Sequence, residues 1–328
     1  MSEPPVVLIH GFATSAARTW GDNGWIDLLH DVGRSVVAID LVRSDGELVT
    51  LRRGRDEAFD GSVVALGALG VVTRVALDVE PTRPYRQDVY EGLPLAAFLD
   101  RFDELTALAD SVSCFTTWRA PSIDQVWLKR RLVDGIDLDP GPDVFGARRA
   151  TRKLHPIPGI SPDACTDQLG VPGPWYDRLP HFRLSATPSA GDELQTEYLL
   201  PREHAASAVA ALDPLRRRLA DLVQISEIRT IAADDLWLSP AAGRATVGIH
   251  FPWRADGAAV QALLPEVERA LRPFEPRPHW AKLFAMDGAE VRSRYPRWND
   301  FAALVRRLDP DGRFGNAFLR RLGLGAPT

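Results

Sequence analysis

The sequence predicts an α+β protein: a large mixed or antiparallel sheet flanked by helices, preceded by a short βαβ unit. Three observations carry that prediction. Runs rich in β-branched and aromatic residues recur after Arg83, at residues 85–90, 111–118, 123–133, 193–199, 225–231 and 246–253. Between them lie stretches with apolar residues at helical spacing, as at Val260, Leu263, Leu264 and Val267 behind the N-capping residue Asp256. Ahead of both, residues 6–9, 25–32 and 35–41 form a strand, a helix and a strand in a span that implies parallel pairing.

The bulk properties narrow the function classes. A chain of 328 residues with 45% hydrophobic and 25% charged residues is an ordinary soluble composition with room for two domains. A net charge of −5 argues against a nucleic-acid surface, and the short basic runs at residues 129–131 and 216–218 are expected to be solvated faces. Two cysteines, Cys114 and Cys165, are too few for a disulfide framework or a metal site. No apolar run reaches the ~18 residues needed to cross a bilayer. The N-terminus lacks the basic and apolar regions of a signal peptide, so a cytoplasmic location is expected.

At the start of the chain, the apolar run at residues 6–9 leads directly into His10, Gly11 and Phe12. Trp25, Leu28, Leu29 and Val32 then share one helical face. This opening resembles the first βαβ unit of an α/β-hydrolase, in which the loop after such a strand helps form an oxyanion hole. No Gly-x-Ser-x-Gly nucleophile elbow occurs in the chain, and an oxyanion loop without a nucleophile cannot transfer acyl groups.

Residues 42–51 read as a hairpin turning at Asp45 and Gly46. The small apolar residues that follow, 61–77, suggest a tightly packed helix passing through a turn at Gly67 and Gly70 into a strand over 71–79. Leu95, Phe98, Leu99, Phe102 and Leu105 mark a helix. Residues 134–180 hold many prolines and glycines and read as a long ordered loop anchored by Trp175, Tyr176 and Leu179. Pro214 marks a boundary or kink in the helical pattern Val209, Leu212, Leu215, Leu219 and Leu222. A last core strand is expected over 278–284, and a helical tail follows.

The candidate chemistry sits in two of these strands. Glu227 and Arg229 share one face, about 6–7 Å apart. They form either a structural ion pair or a polar site for a hydroxylated ligand. His279 and Lys282 lie in the expected strand 278–284, where regular geometry puts them on opposite faces unless a bulge intervenes. Lys282 could also pair with Glu227 within the sheet.

The words around Glu227 and Arg229, then Trp237 to Pro240, His250 to Trp253, His279 to Lys282, and Asn316 to Phe318 resemble, in that order, the C-terminal half of the FAD-linked alditol (xylitol) oxidases and the related D-arabinono-1,4-lactone oxidases. The resemblance implies three segments. Residues 1–41 are a hydrolase-like fragment, 42–82 the remnant of an FAD-binding domain, and 83–328 a substrate domain. It implies oxidation of a polyol or sugar lactone by O2 through FAD. By the same resemblance Glu227, Arg229 and Lys282 bind substrate and carry catalysis, while Gly70, Val71, Val72 and His279 contact the cofactor. The family's phosphate-cradling loops have no counterpart before Leu41, so FAD binding and activity are expected to be impaired. Pro252 stands where the family usually has threonine. The alternatives are a non-catalytic polyol-binding remnant and, more remotely, a hydrolase.

Overall fold

The computed structural model describes residues 36–133, 139–183 and 194–324, in two compact units. The expected strand and helix over residues 6–32, with His10, lie outside the described residues. The first unit comprises Met1–Glu80, Ala233–Arg244 and Met286–Thr328; the second comprises Pro81–Ala232 and Ala245–Ala285. Residues 233–244 and 286–328, read from sequence as part of a continuous substrate domain, thus cluster with the first unit.

In the first unit, β1 (Val36–Val42), β2 (Leu48–Arg52) and β3 (Val71–Leu77) form a three-stranded sheet with β1 at its centre. Gly46 supplies the left-handed residue of the β1–β2 turn (φ +87°). Both edges of β1 are taken by antiparallel neighbours. The helix expected after Gly61 is only Phe59–Ser62. It ends early because the chain turns through Leu66 (φ +53°) and Gly67 (φ +69°). Gly61 is required for packing, since a Cβ there would stand 2.4 Å from the Trp237 ring.

The second unit is organised on a ten-stranded antiparallel sheet. Its strands are β4 (Pro84–Pro94), β5 (Ser111–Thr116), β6 (Ser122–Arg131), β7 (Asp143–Val144), β8 (Ala147–Arg149), β9 (Gly173–Pro174), β10 (Leu194–Pro201), β11 (Ser226–Ile231), β12 (Thr246–Trp253) and β13 (Arg277–Pro278). The main path runs β13-β10-β12-β11-β5-β6-β4-β8-β7, and β9 pairs with β4.

The registers lay residues out in rows across six strands. Tyr198, Ile249, Ile228, Cys114, Val126 and Tyr90 form one row, all buried. Helices Leu95–Asp100, Ala205–Leu212 and Gly257–Leu271 pack in sequence beside one another. The last turns Val260, Leu263, Leu264 and Val267 inward, and its N-cap Asp256 accepts from Ala259 N–H at 3.1 Å. Pro214 does break the helical stretch, into Ala205–Leu212 and Arg216–Leu222.

Successive strand residues alternate faces, so the two neighbouring rows lie on the opposite side. One is Glu197, His250, Glu227, Phe115, Gln125 and Glu91; the other is Leu199, Gly248, Arg229, Ser113, Trp127 and Val89. Residues 139–183 pack over part of this second face. Leu154, Ile157, Cys165 and Phe182 meet Val89, Phe115 and Trp127 there. Of the expected anchors only Leu179 is buried, whereas Tyr176 is exposed. The loop is held instead by apolar residues that carry no periodic signal.

Candidate active site

The charged groups of the candidate site lie on that second face, on β6, β10, β11, β12 and the two segments that reach it. Glu197 and Glu227 flank His250 in a single row. Glu197 gives its carbonyl to His279 N–H (2.9 Å) on the β13 side, so Glu197 and His250 form the narrower, non-hydrogen-bonded kind of pair. Gly248, one step along β12, leaves room for both neighbours. A Cβ there would meet Glu197 Oε1 at 2.9 Å and Arg229 Cγ at 3.8 Å.

The Glu227–Arg229 pair expected from alternation is present at 3.5 Å, but Arg229 sits closer to Glu197, at 3.1 Å. Lys282 pairs with Glu197 (2.6 Å), where the alternative reading places Glu227. The strand expected over 278–284 is corrected, since it stops at Pro278. His279 N–H and Leu283 N–H bond Glu197 O and Gln195 O, so a two-residue step on β10 faces a four-residue step on the other side. Two extra residues therefore bulge out, closed by Lys282 N–H to His279 O (3.2 Å). That bulge aims Lys282 at the sheet and leaves His279 half-buried, its Nδ1 accepting from Ala281 N–H at 3.2 Å.

Burial opposes the charge on each carboxylate, yet neighbouring groups prevail. Glu197, 1% exposed, is held well below the ordinary carboxylate range by Arg229 and Lys282, with smaller help from His250 and His279. Glu227 is held low by the Arg229 charge and by the hydrogen bond it accepts from His181. Burial, reinforced by Lys282, lowers His250, so its imidazole is neutral near pH 7; its Nε2 lies 3.1 Å from Gln195 Oε1. The face thus combines two fixed anions, two fixed cations and a neutral imidazole.

Sequence reasoning missed Glu197, His250, His181 and Lys129 as site residues. His181 follows Pro180 in the irregular loop and reaches Glu227 Oε1 at 3.0 Å. Lys129, expected on a solvated face, is buried with its ammonium 2.9 Å from His181 Nδ1. Arg130, from the same basic run, is buried against Asp88 at 2.7 Å. The physical reason is that β6 is an interior strand, covered on both faces. A lone charged residue within its strand was the available signal for Glu197, whereas Lys129 stands in a run of basic residues that gave none. For His181 there was none.

The proposed cofactor contacts lie in the first unit, apart from His279. Gly70 (φ +154°) is dictated by the backbone, because a Cβ would stand 2.5 Å from Val42 O. Val71 and Val72, at the start of β3, are 58% and 45% exposed. Pro252 lies opposite Gln195 in β12. Gln195 turns its carbonyl to Leu283, so the missing Pro252 N–H breaks no β10–β12 bond.

Residues 191–322 match the D-arabinono-1,4-lactone oxidase family. Alditol oxidase from a Streptomyces species is 50% identical over 284 residues, which cover 87% of this chain and 66% of the relative. L-Gulono-1,4-lactone dehydrogenase from Mycobacterium tuberculosis is 29% identical over 305 residues, covering 88% and 68%. The chain therefore spans about two thirds of the length of these relatives. Among solved structures, cholesterol oxidase from B. sterolicum superposes with a TM-score of 0.66 at 15% identity, over 88% of this chain and 68% of the other. Xylooligosaccharide oxidase from Myceliophthora thermophila C1 gives 0.59 at 12%, over 89% and 67%. At such identities the likeness concerns the fold alone. No described helix is long and apolar enough to cross a membrane.

Proposed function

We propose that this protein is an FAD-dependent oxidoreductase that converts an alcohol group of a polyol or aldonolactone to a carbonyl, with O2 reduced to H2O2. The single observation that carries this is the row of Glu197, His250 and Glu227 bounded by Arg229 and Lys282: fixed acceptors and donors set side by side on one rigid sheet face. A chain of hydroxyls, each both donor and acceptor, is the ligand chemistry that satisfies alternating carboxylate and cation partners. The 50% identity to an alditol oxidase supports the polyol as substrate class.

In this proposal Glu227 accepts a hydrogen bond from a substrate hydroxyl and Arg229 donates to a neighbouring one. Lys282, fixed by Glu197, donates to the reacting oxygen and favours its alkoxide as the proton leaves. Neutral His250 is available to take that proton. The exposed apolar pair Val71 and Val72 fits a flat ring system, so Gly70, Val71 and Val72 are the residues of the first unit that would contact FAD; His279 is assigned to the cofactor by the family resemblance alone. FAD, when bound, supplies the hydride acceptor.

The test is H2O2 release by protein supplemented with FAD, comparing xylitol and sorbitol with an aldonolactone. Polyol-dependent peroxide that disappears in Arg229→Met is the expected result. Peroxide from the lactone alone moves the substrate class. Polyol binding without peroxide identifies a binding domain and refutes the oxidase.

A further inference from the structure

We infer that Lys129 is a positioning residue that keeps His181 neutral, so that Glu227 retains its full charge for a ligand hydroxyl. Lys129 is 1% exposed, and its ammonium donates both to Leu179 O and, at 2.9 Å, to His181 Nδ1. An ammonium has donors and no acceptor, so Nδ1 must present its lone pair. The single proton of the neutral ring is then on Nε2, where it faces Glu227 Oε1 at 3.0 Å. The hydrogen bonds have one direction: Lys129 to His181, His181 to Glu227.

Packing holds the ring in that line. Phe115 and Trp127 each meet it edge-on with centroids 5.4 Å away, and Ser113 Oγ lies 3.5 Å from Nε2. The charged groups described as facing the ring are Lys129 from β6 and Glu227 from β11. In its own loop, Arg183 is paired with Asp167 at 2.9 Å. A histidine beside a buried carboxylate ordinarily takes a second proton and forms an ion pair. Here that proton would have to point at an ammonium. Lys129 thereby prevents an imidazolium from neutralising Glu227, while its own charge is relayed to the carboxylate through the ring. The consequence for substrate rests on the polyol proposal; the protonation state of His181 does not.

The test is nitrogen NMR of the full chain labelled with 15N-histidine, from about pH 5 to 8. The His181 signals are identified by their loss in His181→Gln. The wild type should show one protonated nitrogen and one lone-pair nitrogen throughout. Lys129→Met should show both nitrogens protonated at the acid end and a titration within the range, and Lys129→Arg should restore the wild-type pattern. An imidazolium pattern in the wild type overturns the inference, whether or not the variant folds. So does an unchanged pattern in folded Lys129→Met. If the FAD-loaded protein turns over xylitol, Lys129→Met should raise KM about tenfold at the acid end, the size of one hydrogen bond to a charged group, with kcat little changed. Loss of turnover in the wild type would count against the oxidase alone and leave the NMR result standing.

Discussion

Replacing Glu197 by glutamine removes the anion on which Arg229 and Lys282 converge, at 3.1 and 2.6 Å, while keeping its shape. Removing one partner of a buried ion pair costs about 3–5 kcal/mol, because the other charge is left uncompensated. The side chains of Arg229 and Lys282 are 16% and 10% exposed, so both can relax towards water, and the lower end, ~3 kcal/mol, applies. For a domain of this size that is roughly a 6–12 °C fall in Tm. Calorimetry at pH 7 measures it, and a double-mutant cycle with Lys282→Met isolates the pair. Coupling of about 2 kcal/mol is expected, since Lys282 no longer matters once its acceptor is gone. If Glu197→Gln stays within ~0.5 kcal/mol of wild type, or the two substitutions add, the account of this carboxylate as the hub of the site is wrong.

Three further outcomes follow from the geometry. Gly248→Ala puts a Cβ 2.9 Å from Glu197 Oε1 and should cost about 1–3 kcal/mol, read from urea midpoints; a neutral effect would mean the face has slack. His250 is lowered in the fold, so below its unfolded value of about 6.5 the unfolded chain binds the extra proton. Stability should be full above that pH and fall on acidification towards the folded value, a decline that His250→Gln reduces and that the likewise lowered His155 shares; rising stability over the same window would reverse the assigned sign. Both cysteines are buried, and the Cys165 thiol is pushed up to about 11, leaving on the order of one thiolate in a thousand at pH 8. Native protein should resist iodoacetamide that labels both thiols in urea, and rapid native labelling would contradict their burial.

How much of this was legible in the sequence depended on periodicity. Strands β4, β5, β6, β10, β11 and β12 follow from β-branched and aromatic runs, and the pairing of Glu227 with Arg229 from the two-residue period. The segment after Pro278 failed because its apolar residues mimic a strand while two extra residues bulge towards Glu197. Lys129 and Arg130 look like surface charges until the strand order buries β6 between β5 and β4. Their partners, His181 and Asp88, are distant in sequence, so no local pattern could announce them. The reverse happened at Gly70, where a close approach to Val42 O explains a glycine that the family resemblance assigns to a cofactor.

The central claim is that one sheet face presents a hydroxylated substrate to a flavin. The most direct test is the visible spectrum of the purified protein after addition of FAD and removal of the excess, followed by anaerobic xylitol. Retained flavin bands that bleach on xylitol, and do not bleach in Arg229→Met, are the predicted result. Flavin that is retained but unchanged by any polyol or lactone, or no retained flavin at all, would contradict it.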